Sequence, residues 1–420
     1  MTLTWRRRRT QRRGRPPRTQ RRRRLPRTPP QRRPGLLREA PRFRYLWLSR
    51  TISATGTGVS RVALVLLVSS SGPGAVSLVL LCSALPQLLG PLAGAVADRV
   101  DQRRLLAGCE AGQGVIYAVV AIAHPPMAGL LPLVTAAGLL ATLMSPAGKS
   151  SVPRLVPADR LPRANAMLGL ALNLQIIAGP AIGGALAGLA GPSAAFAVNA
   201  ASFGVSALLL TRLGPLPPQP ADAPGGLMTQ TWAGLRYAAH SPVLRALVLG
   251  MLVFVSFAAM DNVALVFLVQ RSLHGSGAEY GVTAAAFGVG MAAASLALAA
   301  VAGRRPPAQW LIGGVALGSV GTVATGLAPG IAAASLAQAA AGAGNTADLV
   351  GTDTLIQQSV PAHLLGRAFG AVYTAAMAAS AIAYAAAGPL VGLTGPRGAF
   401  LIAGLGMLTG LAVLGPALRR

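Results

Sequence analysis

The sequence predicts an all-α membrane protein of about twelve transmembrane helices, arranged as two parallel six-helix repeats. Three observations predict it. First, 53% of the 420 residues are hydrophobic and only 11% are charged, against about 25% charged in an ordinary soluble domain. Second, apolar runs long enough to cross a bilayer, roughly 20 residues each, recur between helix breakers. Third, the second half repeats the first at nearly constant spacing.

The runs are read in order. The first, 45–68, follows a basic tail and stops at a Ser-Gly-Pro turn. The second spans 75–97 and ends in Asp98-Arg99. The third, 105–123, lies between an arginine pair and His124-Pro125. The fourth, 127–144, is short and stops before Ser145-Pro146. The fifth, 164–189, and the sixth, 194–213, are separated by Gly191-Pro192. The seventh, 244–269, follows a Pro- and Gly-rich stretch. The eighth and ninth, 282–301 and 310–327, flank Arg304-Arg305. The tenth, 331–349, is polar toward its end. The eleventh and twelfth, 368–391 and 400–418, flank Gly395-Pro396.

Basic residues fall on alternate loops. One set holds the tail, Arg99, Arg103, Arg104, Lys149, Arg154, Arg160, Arg163, Arg212, Arg236, Arg245, Arg304, Arg305, Arg367, Arg419 and Arg420. The other holds little beyond Arg271 and Arg397. The positive-inside rule then puts both termini in the cytoplasm of a multi-pass protein of the cell membrane. An even number of spans agrees.

Four segments follow. Residues 1–40 form an Arg/Pro-rich tail that carries much of the net charge of +27 and has no acidic residue before Glu39. Its composition cannot build a core and predicts disorder. It reads as an arm for anionic lipid or as a mis-assigned start with translation beginning near Leu36. Nucleic acid is not an expected partner, because aromatics are not interleaved with the arginines. Residues 41–213 form the first six-helix half and 244–420 the second. Between them, 214–243 is a cytoplasmic linker with a short amphipathic helix in "LMTQTWAGLRYAAHSP".

The repeat is explicit. "LVPADRLPRANAM" from Leu155 matches "SVPAHLLGRAFGA" from Ser359, pairing Pro157 with Pro361 and Arg163 with Arg367. Gly191-Pro192 pairs with Gly395-Pro396 and Phe196 with Phe400, all at an offset of 204. "SRVALVLLV" (60–68) matches "DNVALVFLV" (261–269) at 201. Six spans return the chain to the same side, so the repeats are parallel, as in one large class of secondary transporters.

Two motifs carry a resemblance. "GPLAGAVADRVDQRR" (90–104) places Gly94, Asp98, Arg99, Arg103 and Arg104 between the second and third spans. It resembles the loop signature of the major facilitator superfamily, with Asp101 where glycine is commonest. The "RVD" form and "FRYLWLSRTIS" resemble the branch of macrolide-efflux and enterobactin-exporter-like proteins. "AGPAIGGALAG" (178–188), with Gly179, Pro180, Gly183 and Gly184, resembles the fifth-helix signature of drug:proton antiporters. The resemblance implies a fold of two rocking halves, a cytoplasmic latch at the first motif and export through the second. It implies a small-molecule substrate, a monomer and a proton gradient as driving force, with no cofactor. Small residues in the second motif let helices approach closely. Pro180 removes a backbone donor.

One residue conflicts with its surroundings. Asp261 lies inside the seventh apolar run, where a carboxylate costs on the order of 2.5–3.5 kcal/mol. By the repeat it corresponds to Ser60, and Asn262 to Arg61. Arg61 and Asp261 are therefore expected at similar depth on facing walls of a central cavity, coupling proton or substrate binding. A fixed ion pair is the alternative. Many relatives in the family carry an acidic residue where this chain has Thr57, which makes Asp261 its candidate replacement. Asn173, Gln175 and Asn345 are candidate substrate contacts. Glu110, Asn199, Asp348 and Asp353 are further polar groups in or near spans, the last two a candidate gate of the second half. No metal-ligating spacing, nucleophile-base arrangement or phosphate-binding glycine loop is present in the sequence. An enzyme is not expected. A secondary exporter of an amphipathic small molecule (drug, siderophore or metabolite) is the expected function. Import of a nutrient, or a non-transporting sensor or partner role, are the other readings of the same fold.

Overall fold

The computed structural model describes residues 36–218, 241–301, 306–360 and 365–418. The basic tail before Leu36, the amphipathic helix expected in the linker, Arg304-Arg305 and Pro361 lie outside the described residues.

Twelve helical spans follow a single turn at Leu36–Glu39. They are α1 (Pro41–Ser69), α2 (Pro73–Ala84, continued by Leu85–Leu89 and Gly90–Arg99), α3 (Gln102–Ala123), α4 (Met127–Leu155), α5 (Leu161–Ala190) and α6 (Pro192–Thr211). The second set is α7 (Pro242–Ala258, continued by Asp261–Phe267 and Leu268–Ser272), α8 (Gly277–Ala300), α9 (Pro307–Leu327) and α10 (Ile331–Ser359). The helical stretch Leu365–Leu418 is broken at Gly395 (φ 69°), giving α11 (365–394) and α12 (396–418). Nine of the described helices are long and apolar enough to span a bilayer, and bent α2 makes a tenth. Gly395 divides one of the nine in two, and α10, 29 residues long and carrying Gln338, Asn345 and Asp348, is not among them.

The structure corrects several boundaries. The second and seventh spans were expected to be unbroken. α2 instead tightens to a 3₁₀ turn at Leu85–Leu89, around Pro86, before resuming. α7 is interrupted at Ala259-Met260, immediately before Asp261, and ends in a π turn. α4 runs eleven residues past its expected end, through Pro146 and Pro153, and α10 runs ten past its own. Hydropathy marks where lipid ends. A helix continues as long as its backbone bonds are met.

The repeat is structural. Gly191 and Gly395, 204 apart, both adopt positive φ (81° and 69°) before a proline and end their helices at the same point. α1 packs on α5 and α6, and α3 on α6. In the second set α7 packs on α12 through Gly406 and Gly410, and α9 on α12 through Gly404. One continuous apolar core joins α1, α2, α3, α4, α6, α7, α8, α11 and α12, with Phe196, Phe267 and Phe400 among its buried side chains.

We call the side bearing Pro41 and residue 418 the tail side and the opposite one the far side. The two sets meet on the far side. There α5 lies on α8, with Gly184 against Gly277 and Gly281, and α2 lies on α11, with Gly388 against Gly74 and Ser77. At the tail side, the Gly90–Arg99 helix packs on α3 and α4 of its own set.

Candidate functional site

A cavity of about 280 Å³ lies where the two sets of helices face each other. α1 supplies Arg61, α5 supplies Gln175 and Pro180, α7 supplies Asp261 and Asn262, α8 supplies Tyr280, and α10 supplies Gln338. The break in α7 sets the key side chains. Asn262 donates to the Ala259 carbonyl (3.2 Å) across the interruption, which positions Asp261 at the start of the resumed helix. Gln338 Nε2 lies 3.0 Å from both Asp261 carboxylate oxygens.

Arg61 does not pair with Asp261. Its guanidinium donates to Asn262 Oδ1 (3.1 Å) and to the Tyr384 hydroxyl (3.3 Å). Arg61 and Asn262 are repeat equivalents, so this hydrogen bond crosses the pseudo-twofold axis between the halves. The fixed ion pair weighed as an alternative is not formed. Ser60, the equivalent of Asp261, is held inside the first set by Asn199 Nδ2 at 2.7 Å.

The expected substrate contacts divide. Gln175 lines this cavity and a second one described below. Asn173 lines neither and is exposed; two residues along a helix turn a side chain by about 200°. Asn345 also lines neither, its backbone lying near Gly318 of α9.

The glycines of the fifth-helix motif each meet a backbone. A Cβ on Gly179 would lie 2.6 Å from Gly58 Cα, and one on Gly183 would lie 2.5 Å from the Val59 carbonyl, both on α1. One on Gly184 would lie 2.6 Å from the Gly277 carbonyl on α8. The Pro180 carbonyl abuts Gly281, and α5 is continuous through Pro180. Two motif glycines therefore bind α5 within its own half. The third closes the far-side seam.

The loop motif is not assembled as a latch in this state. Asp98, Arg99 and Arg104 are exposed, and a Cβ on Gly94 would meet nothing within 4 Å. Among the described residues, the side chains of Asp98, Arg99, Arg103 and Arg104 enter no hydrogen bond or ion pair. Asp101, the residue at the glycine position, has a defined task. It caps α3 by accepting from Arg104 N (2.9 Å) and accepts from Leu216 N (2.9 Å), tying the chain after α6 to the start of α3.

A second, larger cavity of about 620 Å³ lies within the first set of helices, toward the tail side. Sequence reasoning registered Glu110 without assigning it a site, and Arg50 not at all. Glu110 is fully buried on this wall. Ser53 donates to its Oε1 at 3.0 Å, while Oε2 has no partner. Arg50 and Lys149 line the same space. The available signal was a second carboxylate in an apolar run, one helix away from an arginine inside another.

Known proteins share the family and the fold. The transmembrane secretion effector family model covers residues 37–418. The major-facilitator-type transporter YfiS of Bacillus subtilis is 29% identical over 393 residues, 88% of this chain and 91% of that one. The multidrug efflux pump Tap of Mycobacterium tuberculosis is 29% identical over 386 residues, 88% and 92%. Among solved structures, a bacterial homologue of the iron transporter ferroportin superposes with a TM-score of 0.74 at 14% identity, covering 92% of this chain and all of that one. A bacterial homologue of the lysosomal transporter Spinster gives 0.74 at 16%, covering 92% and 98%. These likenesses establish the fold. With the family match spanning nearly the whole described chain, the protein is a multi-pass membrane transporter, not an enzyme, and belongs to the transmembrane secretion effector family of the major facilitator superfamily.

Proposed function

We propose that the protein exports an amphipathic small molecule in exchange for protons, by rocking of its two halves about the central cavity. The carrying observation is Asp261. It is a carboxylate on the wall between the halves, bonded to the neutral Gln338 and, among the described residues, to no cation. A carboxylate neutralised by a fixed ion pair has little reason to exchange its proton. One held by an amide can. The groups facing it are Arg61 from α1, Tyr280 from α8, Gln338 from α10 and Asn262 beside it. Export is supported by the resemblance of the fifth-helix motif to that of drug:proton antiporters and by the likeness to a multidrug efflux pump. The basic loops support a cytoplasmic tail side. In the opposite state, Asp98, Arg99, Arg103 and Arg104 would latch the tail-side ends together through charge-assisted bonds. The lipid bilayer is the solvent throughout, the basic tail an additional contact to anionic lipid, and the monomer the working unit.

The test is accumulation of a panel of amphipathic dyes and antibiotics in an efflux-deficient bacterium. Expression lowers accumulation, and both a protonophore and Asp261→Asn restore it. Lowered accumulation that persists in Asp261→Asn would remove Asp261 from the coupling.

A further inference from the structure

The tail-side cavity of the first half has polar groups that the export reading does not use. Glu110 Oε2 is buried without a partner. Arg50 and Lys149 line the same space, and among the described residues neither enters a hydrogen bond or ion pair. The Arg50 guanidinium stands beside Gly148 on α4, its Cζ 3.9 Å from where a Cβ there would lie. The remaining wall is largely apolar, with Ala54, Met144, Leu168 and Leu172. A buried carboxylate oxygen without a donor is costly, and Arg50, half-buried on the same wall, attracts Glu110 without bonding to it, while Lys149 is exposed at the cavity's edge. Arg50 and Glu110 face one cavity of about 620 Å³ without touching, which leaves room for a ligand to bridge them.

The repeat provides an internal comparison. Leu46, Arg50 and Ser53 of this cavity correspond, at an offset of 201, to Leu247, Met251 and Phe254. Met144 and Gly148 correspond, at 204, to Asp348 and Thr352. These five second-half residues surround the equivalent place in the second half, where only about 10 Å³ remains. Methionine and phenylalanine fill there what arginine and serine leave open here. The opening is thus not imposed by the fold. It is built from the residues of one half.

We infer that this cavity is a binding site for an amphipathic zwitterion, its anionic group held by Arg50 with Lys149 near, and its hydrogen-bond donor or cation by Glu110. Two cations against one carboxylate select for a ligand that bears an anion. The inference rests on the reading of the chain as a small-molecule transporter and names the substrate class. Gln175, shared by this cavity and the central one, marks the route between the ligand and Asp261.

The experiment is equilibrium binding by fluorescence anisotropy, on purified full-length protein in nanodiscs. The probes are a diaminorhodamine free acid and its methyl ester, a matched zwitterion and cation. Wild type binds the free acid at least about tenfold tighter than the ester, the loss expected when one charge-assisted pair is removed. Arg50→Gln abolishes that preference. Gly148→Val, which fills the space before Arg50 from another helix, weakens both dyes. Asp261→Asn leaves the preference intact, so failure of the coupling reading and failure of this one are separable. Equal binding of acid and ester by wild type, no binding of either, or an unchanged preference in a monodisperse Arg50→Gln protein would overturn the inference.

Discussion

The far-side seam permits a quantitative prediction. Gly184→Ala places a methyl 2.6 Å from the Gly277 carbonyl, 2.8 Å from Gly281 Cα and 3.0 Å from Gly281 N. The first is 0.8 Å short of the 3.4 Å at which ordinary contact begins. All three atoms are backbone, so no side chain can rotate away. α5 and α8 must separate, and overpacking of this kind costs typically about 1–3 kcal/mol. Because the strained contact joins the two halves, that cost falls on the far-side-closed state alone. The equilibrium between closed and open states therefore moves by about 5- to 150-fold toward opening. Two neighbours on α5 serve as controls. Gly183→Ala meets the Val59 carbonyl at 2.5 Å within the first half, so it lowers thermal stability without moving the equilibrium. Gly188→Ala comes no nearer than 3.8 Å to Ala278 and changes neither. The assay is the distance distribution between spin labels at exposed Leu189 and Leu393, on a background lacking Cys82 and Cys109. A Gly184→Ala distribution identical to wild type would refute the assignment of this contact to the seam.

Other perturbations separate the remaining parts. Asp101→Ala removes a helix cap and the acceptor for Leu216 N. It should cost about 1–2 kcal/mol, read as a lowered melting temperature that Asp101→Asn restores only in part, because its amide keeps one acceptor oxygen for two backbone N–H groups. Asp98→Asn leaves the far-side-closed state untouched, since among the described residues Asp98 has no partner in it. It should raise the population of that state, opposite in sign to Gly184→Ala and read by the same spin labels. Ser276→Ala breaks the capping box that Ser276 and Glu279 form at the start of α8. A loss of about 1 kcal/mol is expected, seen as a lower melting temperature with unchanged transport.

Spans, repeat and the close packing of α5 were legible because each leaves a local trace. Lipid demands about twenty apolar residues. A repeat preserves spacing. Close helix approach demands glycine, and Gly179, Gly183 and Gly184 mark it. What was not legible depends on which side chain reaches which. Placing Arg61 and Asp261 at similar depth did not show that Arg61 reaches across the axis to its own equivalent, Asn262, leaving Asp261 to Gln338. That choice depends on the break in α7, and "FAAMDN" holds no glycine or proline to announce it. Asn173 failed as a cavity residue through helical rotation, which a polar-residue search along a span ignores. The tail-side cavity was hidden because its members, Arg50, Glu110 and Lys149, come from three helices whose proximity only the fold reveals.

The most direct test is substrate-driven proton movement in proteoliposomes, using a dye identified by the accumulation assay and a pH indicator inside. Adding substrate to wild-type vesicles should drive protons in the opposite direction, whereas Asp261→Asn should bind substrate and move no protons. Equal proton flux from wild type and Asp261→Asn would contradict the account, because the carboxylate between the halves would then have no part in coupling.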